Sequence, residues 1–448
     1  MKPIRSLLLP TGGCPLSAVG FLAGMAGFLV ATASVAETVT VTVDRTRSDG
    51  VSRLELGVTH TQYSLDTGGN AAAVARAREL LAAVCRYQNV HIMGWGTLNP
   101  NPAPGVYDWS TLDRRMEMVR SIPGAVPVIT LCAAPDWMKG GRPGETDWSK
   151  IEVAPLPEHY EDFARLAATV ARRYPDVRYF QVWNEFKGFW DASRNNWHYE
   201  NYTRMYNLVY DALKAVRPEI QVGGPYLVIE GTGSDKGGWA AERPIRARQW
   251  EVLDYWLTHK RGADFFVIDR GLVGFHDPHP YTEAERLALT PWFGDVVRQI
   301  RGRTDLPIWY AEFYASHRDD RPEVSTAINA SVLLHMLEGG TSVALLWGPM
   351  DSGRGGFGHA LFSDARQPDG AQSLPLYEVF RILHDHFGPG TPLYRTASSS
   401  DHVEALASPE RILLINKRPE SVVVRLEDET LSLEGYEVRL VERQAPAR

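Results

Sequence analysis

Between Leu54 and Trp347 the chain alternates eight short apolar runs with longer amphipathic stretches, and this rhythm restricts the fold more than any other feature. The runs are Leu54–Thr59, Asn89–Met93, Val126–Leu131, Tyr179–Trp183, Ile220–Gly223, Phe265–Ile268, Ile308–Glu312 and Val343–Trp347. Most are apolar along their length, as expected of parallel strands covered on both faces. Helical patterns lie between them at Ala71–Cys85, Glu158–Arg173, Glu200–Val216, Gln249–Lys260 and Glu323–Glu338, with Leu374–His386 after the last run. Within Glu158–Leu166 the spacing is the i, i+3, i+4 of an amphipathic helix. Eight strands each followed by a helix, over about 340 residues, predict an α/β fold of the (β/α)8 TIM-barrel type with long loops. An open doubly wound sheet would carry a glycine-rich phosphate turn after its first strand, and none follows Thr59.

The texture changes at both ends. After Pro389-Gly390-Thr391-Pro392, the stretches Val403–Leu406, Arg411–Asn416, Ser421–Leu426 and Tyr436–Glu442 read as short strands separated by turn residues. Glu37–Val43 alternates in the same way. The expectation is a small C-terminal β-sandwich, residues 391–448, completed by the mature N-terminus, residues 37–50, with the barrel over 51–390. Lys2 and Arg5 ahead of the apolar Leu16–Val30, then Ser34-Val35-Ala36 before Glu37, read as a cleavable signal peptide over 1–36. Export to the periplasm or the medium follows, with no integral membrane domain after cleavage; an uncleaved anchor is the alternative. Cleavage would remove Cys14 and leave Cys85 and Cys132, both in apolar surroundings and expected to be buried thiols. The balance of 47 Lys+Arg against 54 Asp+Glu, with no long run of either sign, argues against nucleic acid as the main partner.

Chemistry concentrates at two strand ends. Tyr179–Trp183 stops abruptly on Asn184 and Glu185, and Leu306-Pro307-Ile308-Trp309-Tyr310-Ala311 stops on Glu312. A barrel presents its chemistry at the carboxyl ends of its strands. Two carboxylates across a cleft are the minimum for cleaving a glycosidic bond: one protonates the leaving oxygen, the other attacks the anomeric carbon or activates water. Asn184 is placed to hold a sugar 2-hydroxyl. His60, after the first strand, is a candidate for the cleft floor, and Trp137, after the third, for stacking on a sugar; a structural histidine and core packing are the competing readings.

Trp183-Asn184-Glu185 ending the fourth strand, with Glu312 ending the seventh, resembles clan A of the glycoside hydrolases. Gly105-Val106-Tyr107-Asp108-Trp109-Ser110-Thr111-Leu112-Asp113 is similar to a segment common in that clan, and the flanking sandwich points to family 39, of the β-xylosidase and exopolysaccharide hydrolase type. The resemblance implies a retaining mechanism with Glu185 as acid/base and Glu312 as nucleophile, an aromatic floor at Trp347, and a His and a Tyr soon after the sixth strand. Here Asp269–Gly274 intervenes, so His276 or His279 is expected to fill the first role and Tyr281 to hydrogen-bond the nucleophile. A metal held by His276, Asp277 and His279 would lack a clear fourth ligand, so neither metal nor cofactor is expected. The expected function is a retaining β-glycosidase acting on a carbohydrate partner. Its rivals are a carbohydrate-binding barrel without catalysis and a metal-dependent barrel hydrolase.

Overall fold

In the computed structural model the first strand, β1 (Thr38–Val51), belongs to the small sheet, and the next eight close a parallel barrel in chain order. These are β2 (Glu55–Thr59), β3 (Tyr87–His91), β4 (Val126–Leu131), β5 (Tyr179–Val182), β6 (Gln221–Val228), β7 (Phe265–Gly271), β8 (Ile308–Tyr314) and β9 (Val343–Trp347). Pairing of β9 with β2 completes the ring. The structure describes residues 37–229, 244–274, 279–317, 319–353 and 359–442. The expected signal segment and His276 lie outside them. Among the described residues no helix is long and apolar enough to cross a membrane.

Inward side chains stack in layers, because alternate residues of a strand share a face. At the bottom, Phe265 and Trp309 stack at 4.2 Å, with the rings of Tyr87 and Tyr179 at 5.0 and 5.2 Å from Trp309. The next layer is polar and joined end to end. Gln181 Nε2 donates to Thr130 Oγ1 (3.1 Å), Thr130 Oγ1 to Asn89 Oδ1 (2.9 Å), Asn89 Nδ2 to Thr59 Oγ1 (3.0 Å), and Thr59 Oγ1 to the carbonyl of Ala311 (3.1 Å). Each of these side chains is buried, so each bond spares an unpaired group that would cost about 1–3 kcal/mol. The chain of bonds runs from the strand before Glu185 to the residue before Glu312.

Two register shifts then re-aim what stands above. Along β7 and β8 the partners are Trp309–Val267 and Tyr310–Ile268, then Glu312–Asp269, so Ala311 is an extra residue. A period of two would send Glu312 outward with Ile308 and Tyr310; the bulge turns it into the barrel beside Asp269. On the other side of β7, Pro225 pairs with Val267 and Leu227 with Ile268, leaving Tyr226 as the extra residue with φ +56°. Expectation and structure part here. The runs Ile220–Gly223 and Phe265–Ile268 continue as strand to Val228 and Gly271, past residues that read as breaks: Gly224-Pro225 and Asp269-Arg270.

After the barrel come β10 (Pro392–Ser398), β11 (Val403–Ala407), β12 (Arg411–Asn416), β13 (Val422–Leu426), β14 (Glu429–Leu433) and β15 (Val438–Glu442). They form one seven-stranded mixed sheet with β1, in the order β14-β13-β1-β10-β11-β12-β15. β1 pairs antiparallel with β10 and parallel with β13. The strands at Pro392–Ser398 and Glu429–Leu433, both inside the expected small β-domain, were not among the strands read from sequence. Alternation gives the sheet two apolar faces: Ile412 and Leu414 join Val39, Val41, Val422 and Val424 in its own core, while Leu413 and Ile415 join the core of the barrel. Cys85 and Cys132 are buried and free.

Candidate active site

The backbone at the end of β5 is held in a conformation that side chains disfavour. Trp183, Glu185 and Phe186 have φ of +70°, +51° and +55°, a left-handed region costing about 1–3 kcal/mol per residue. Several contacts fix it. Trp183 Nε1 donates to the Lys187 carbonyl (2.9 Å), Tyr202 Oη donates to the Val182 carbonyl (2.9 Å), and Phe186 stacks on Tyr202 at 4.0 Å. Gly188 (φ +75°) lets the loop pass where a Cβ would sit 2.2 Å from Ala154 N.

This loop carries Glu185 to a cluster of three carboxyls. Oxygens of Glu185, Asp269 and Glu312 all lie within 4.8 Å of one another. Lys187 Nζ supplies the counter-charge, 2.6 Å from Glu185 Oε2 and 2.9 Å from Glu152 Oε1. Tyr226 Oη lies 3.4 Å from Glu312 Oε2. So many carboxyls in one dry site cannot all be ionised. For Asp269, burial and then the charges of Glu312 and Glu185 raise the pKa well above the carboxylate range. Glu312 is raised as well, by burial first and by the charge of Glu185 second. In Glu185 burial also works upward, but the hydrogen bond with Asp269 and the ammonium of Lys187 outweigh it and hold the group low. Burial and mutual repulsion thus push Asp269 and Glu312 toward the neutral acid, while the contact with Asp269 and the ammonium of Lys187 push Glu185 toward the carboxylate.

The other expected residues divide. Asn184 is buried at the site, its amide directed at Tyr226 but with neither Nδ2 nor Oδ1 in a well-formed hydrogen bond among the described residues. Trp347 ends β9 and, with Trp95, lines a cavity of about 690 Å³ that also touches Thr61, Gln62 and Tyr63. His60 does not line the cleft floor: it is wholly buried, with Nδ1 at 2.7 Å from Ser64 Oγ and Nε2 at 2.8 Å from Gln88 Oε1. Burial, with Arg115 nearby, lowers its pKa to about 4, so it stays neutral and structural. Trp137 is no stacking platform, because its ring is buried and its Nε1 donates to the Asn101 carbonyl (2.9 Å). His279 Nε2 faces Glu285 Oε1 at 3.4 Å, and Tyr281 packs edge-on to His279 at 4.5 Å. The phenol contact with Glu312 expected of Tyr281 is found at Tyr226. The Gly105–Asp113 segment is architectural: Trp109 stacks on Tyr107 at 5.2 Å and precedes the helix Ser110–Arg120.

Asp269, Tyr226, Lys187, His91 and Trp95 were not anticipated. His91 is buried with both ring nitrogens unpartnered among the described residues, and its ring lies 4.4 Å from Trp95 and 5.9 Å from Trp347. Burial, then Lys187 and Arg115, lower its pKa to about 3, so it meets a ligand as neutral imidazole. Lys187 Nζ stands 5.3 Å from the Trp95 ring, joining the aromatic wall to the carboxyls. Arg115 braces that wall from behind, with an ion pair to buried Asp66 (3.0 Å) and a hydrogen bond to the Thr61 carbonyl (3.1 Å). A period of two would have found His91, after Tyr87 and Asn89, and Asp269, after Phe265 and Val267. Nothing in the sequence marks the bulge that exposes Tyr226 to the site.

No family model matches the chain. It is similar to the β-xylosidase of Caldicellulosiruptor saccharolyticus, 25% identical over 284 residues, 61% of this chain and 52% of that protein. A second β-xylosidase, from Geobacillus stearothermophilus, is 26% identical over 260 residues, 53% of this chain and 47% of the relative. The chain thus spans about half the length of the curated relatives it matches. Among solved structures, a monomeric β-xylosidase from Caulobacter crescentus CB15 superposes with a TM-score of 0.54 at 20% identity, covering 87% of this chain and 83% of that one. A GH39 enzyme from Xanthomonas axonopodis pv. citri gives 0.53 at 18% identity, covering 87% and 81%. These superpositions establish the shared barrel fold. The chain is most like family 39 of clan A among the glycoside hydrolases.

Proposed function

We propose that this protein is an exported, retaining β-glycoside hydrolase acting on β-linked oligo- or polysaccharide, a xyloside or a bacterial exopolysaccharide. Glu312 is the nucleophile and Glu185 the acid/base. The observation that carries this is the short separation of the two glutamates, whose nearest oxygens lie within 4.8 Å. Retaining pairs stand about 5–5.5 Å apart, whereas inverting pairs need about 6.5–9.5 Å to admit a water. The β-xylosidase relatives support the substrate class.

The reactive form has Glu312 as the carboxylate and Glu185 as the acid. Positive charge developing at the anomeric carbon favours that form, since it draws the negative charge to Glu312. Glu312 then bonds to the anomeric carbon as the glycosidic bond breaks, and Glu185 gives its proton to the leaving oxygen. In the second step water gives a proton to Glu185 and its oxygen to the anomeric carbon, and Glu312 leaves. Asn184 offers its unsatisfied amide to the 2-hydroxyl, and Trp95 and Trp347 supply apolar faces for the sugar.

The test compares Glu312→Ala and Glu185→Ala on an activated aryl β-glycoside and on a natural oligosaccharide. Loss of the nucleophile should abolish both activities. Loss of the acid should spare much of the first step on the aryl substrate, whose leaving group needs little protonation. NMR in the first minutes should show the β-anomer released from a β-linkage. An α-anomer first, or an active Glu312→Ala, would refute the assignment.

A further inference from the structure

We infer that Lys187 is a positioning residue for the second chemical step: its ammonium holds Glu185 as the carboxylate that takes the proton from the attacking water, and Glu152 is its other anion when Glu185 is protonated. This rests on the function proposed above. Lys187 Nζ lies between the two groups, 2.6 Å from Glu185 Oε2 and 2.9 Å from Glu152 Oε1. Among the described residues it is the one cation paired with a carboxyl of the cluster. Glu185 and Lys187 are largely buried, whereas the Glu152 side chain is exposed, so water and salt screen the second contact more than the first. The backbone is fixed without help from the lysine side chain. The Lys187 amide donates to the Asn184 carbonyl (3.0 Å), and the Lys187 carbonyl accepts from Trp183 Nε1 (2.9 Å). At Gly188 a Cβ would meet the Glu152 carbonyl oxygen at 2.7 Å, so the loop runs hard against the segment that bears Glu152.

The other groups around the ammonium do not compete with this pairing. The Trp95 ring lies 5.3 Å away, with His91 from the end of β3 and Cys132 after β4 also near it. His91 stays neutral, and burial pushes the Cys132 thiol up, so neither carries charge at neutral pH. Beyond Glu185 stand Asp269 on β7, Tyr226 on β6 and Glu312 on β8. Burial opposes a charge on Lys187 itself, but Glu185 and Glu152 outweigh it and keep the group an ammonium.

In the glycosyl-enzyme Glu312 carries no charge, because its carboxylate has become an ester with the anomeric carbon. Lys187 is then the charge that faces Glu185 in the dry site, and an opposite charge at that distance favours the carboxylate. When water attacks, its oxygen bonds to the anomeric carbon, its proton goes to Glu185, and the ester bond to Glu312 breaks. Glu185 is now neutral. Glu152 leaves the ammonium with a partner at that moment, where an unpaired buried charge would be costly. Glu185 therefore enters the next cycle as the acid without stranding Lys187.

The experiment isolates the second step in the full chain, using wild type, Lys187→Met, Lys187→Arg and Glu152→Gln. Each is converted to its glycosyl-enzyme with the dinitrophenyl 2-fluoro-β-glycoside of the sugar that wild type cleaves fastest, whose leaving group needs no acid. After removal of excess reagent, the return of activity is followed against pH, with thermal melts as the check of folding. In the wild type the rate should rise with pH to a plateau as Glu185 ionises. Lys187→Met should move the midpoint of that rise up by about 1 pH unit or more. Lys187→Arg should restore it. Glu152→Gln, at an exposed position, removes the competing anion and should move the midpoint down, which keeps the inference testable if Lys187→Met is insoluble. A merely structural lysine would lower the plateau and leave the midpoint in place. An unmoved midpoint in Lys187→Met, or one that fails to fall in Glu152→Gln, would overturn the inference. A wild type whose mass shows no covalent adduct after the treatment would instead overturn the proposed retaining mechanism, and this inference with it.

Discussion

Replacing His335 by Gln should remove a pH-dependent part of the protein's stability at the seam between barrel and sheet. His335 lies on the helix Pro322–Gly339, and its Nε2 is 3.0 Å from Oε1 of the part-buried Glu404 on β11. Glu404 also accepts from Ser331 Oγ (2.6 Å) and Lys417 Nζ (2.5 Å), and His335 Nδ1 faces Glu338 at 3.4 Å. Burial opposes a charge on His335, but the carboxylates of Glu338 and Glu404 outweigh it and raise its pKa to about 9. Burial likewise opposes a charge on Glu404, and His335 and Lys417 outweigh it and lower that pKa to about 2. A rise from 6.5 to about 9 corresponds, at about 1.4 kcal/mol per pH unit, to about 3 kcal/mol. Because the folded pKa is raised, this stabilisation is complete below pH 6.5 and disappears as pH climbs through about 9. Lys417 shares Glu404, so about 2–3 kcal/mol is the expected loss. Urea unfolding of wild type and His335→Gln at pH 6 and pH 9.5 isolates the effect as a difference of differences. The wild type should lose about 2–3 kcal/mol more than the variant over that interval. Parallel losses in the two proteins would show that the imidazolium–carboxylate contact contributes nothing measurable.

Two further outcomes are expected. Tyr226→Phe removes the phenol beside Glu312 and should lower kcat/KM by about 10–150-fold, the worth of about 1.5–3 kcal/mol for a hydrogen bond to a charged group. The acid limb of the pH profile should move up, because the Glu312 carboxylate loses a donor; an unshifted profile would reduce Tyr226 to packing. Arg115→Met should destabilise the fold, by at most about 3–5 kcal/mol, since it leaves the buried Asp66 carboxylate only its 3.5 Å contact with the more exposed Arg114, and adding Asp66→Leu should recover much of that loss in denaturant melts.

The parts of the fold visible in the sequence are those that periodicity controls. Largely apolar runs marked the barrel strands, although the second, interrupted by Asn89 and His91, was read two residues late of Tyr87–His91; Asn184, Glu185 and Glu312 were visible because a polar residue follows such a run. The readings that missed share a cause. β6 and β7 were ended early at Gly224-Pro225 and Asp269-Arg270, residues that suit a loop, and the lost portions carry Tyr226 and Asp269. Buried polar residues in a strand defeat a rule built on hydrophobicity, and bulges defeat one built on a period of two. Glu312 was singled out as the end of a strand, but β8 continues to Tyr314, and it is the bulge at Ala311 that turns Glu312 inward where strict alternation would have turned it outward. His60 and Trp137 misled for the opposite reason. They stand after strands, where ligands bind, but their polar atoms are spent on Ser64, Gln88 and the Asn101 carbonyl.

The placement of β1 also sets a timetable. Thr40 bonds to Ser399, 359 residues later, and β1 stands between two strands that emerge after the whole barrel. At about 5–20 residues per second, a ribosome finishes β10 roughly 20–70 s after β1 has emerged. Through that interval the barrel can assemble from neighbouring βα units, whose contacts are short in sequence, while Thr38–Val43 waits as an unpaired valine- and threonine-rich ribbon. The small sheet closes last, joining a strand made before the barrel to strands made after it. Until it does, the surface of the barrel that receives Leu413, Ile415 and Tyr436 stays uncovered. Arrested synthesis would thus leave a formed barrel bearing two adhesive surfaces, and it is this nascent species that a holding chaperone would have to shield.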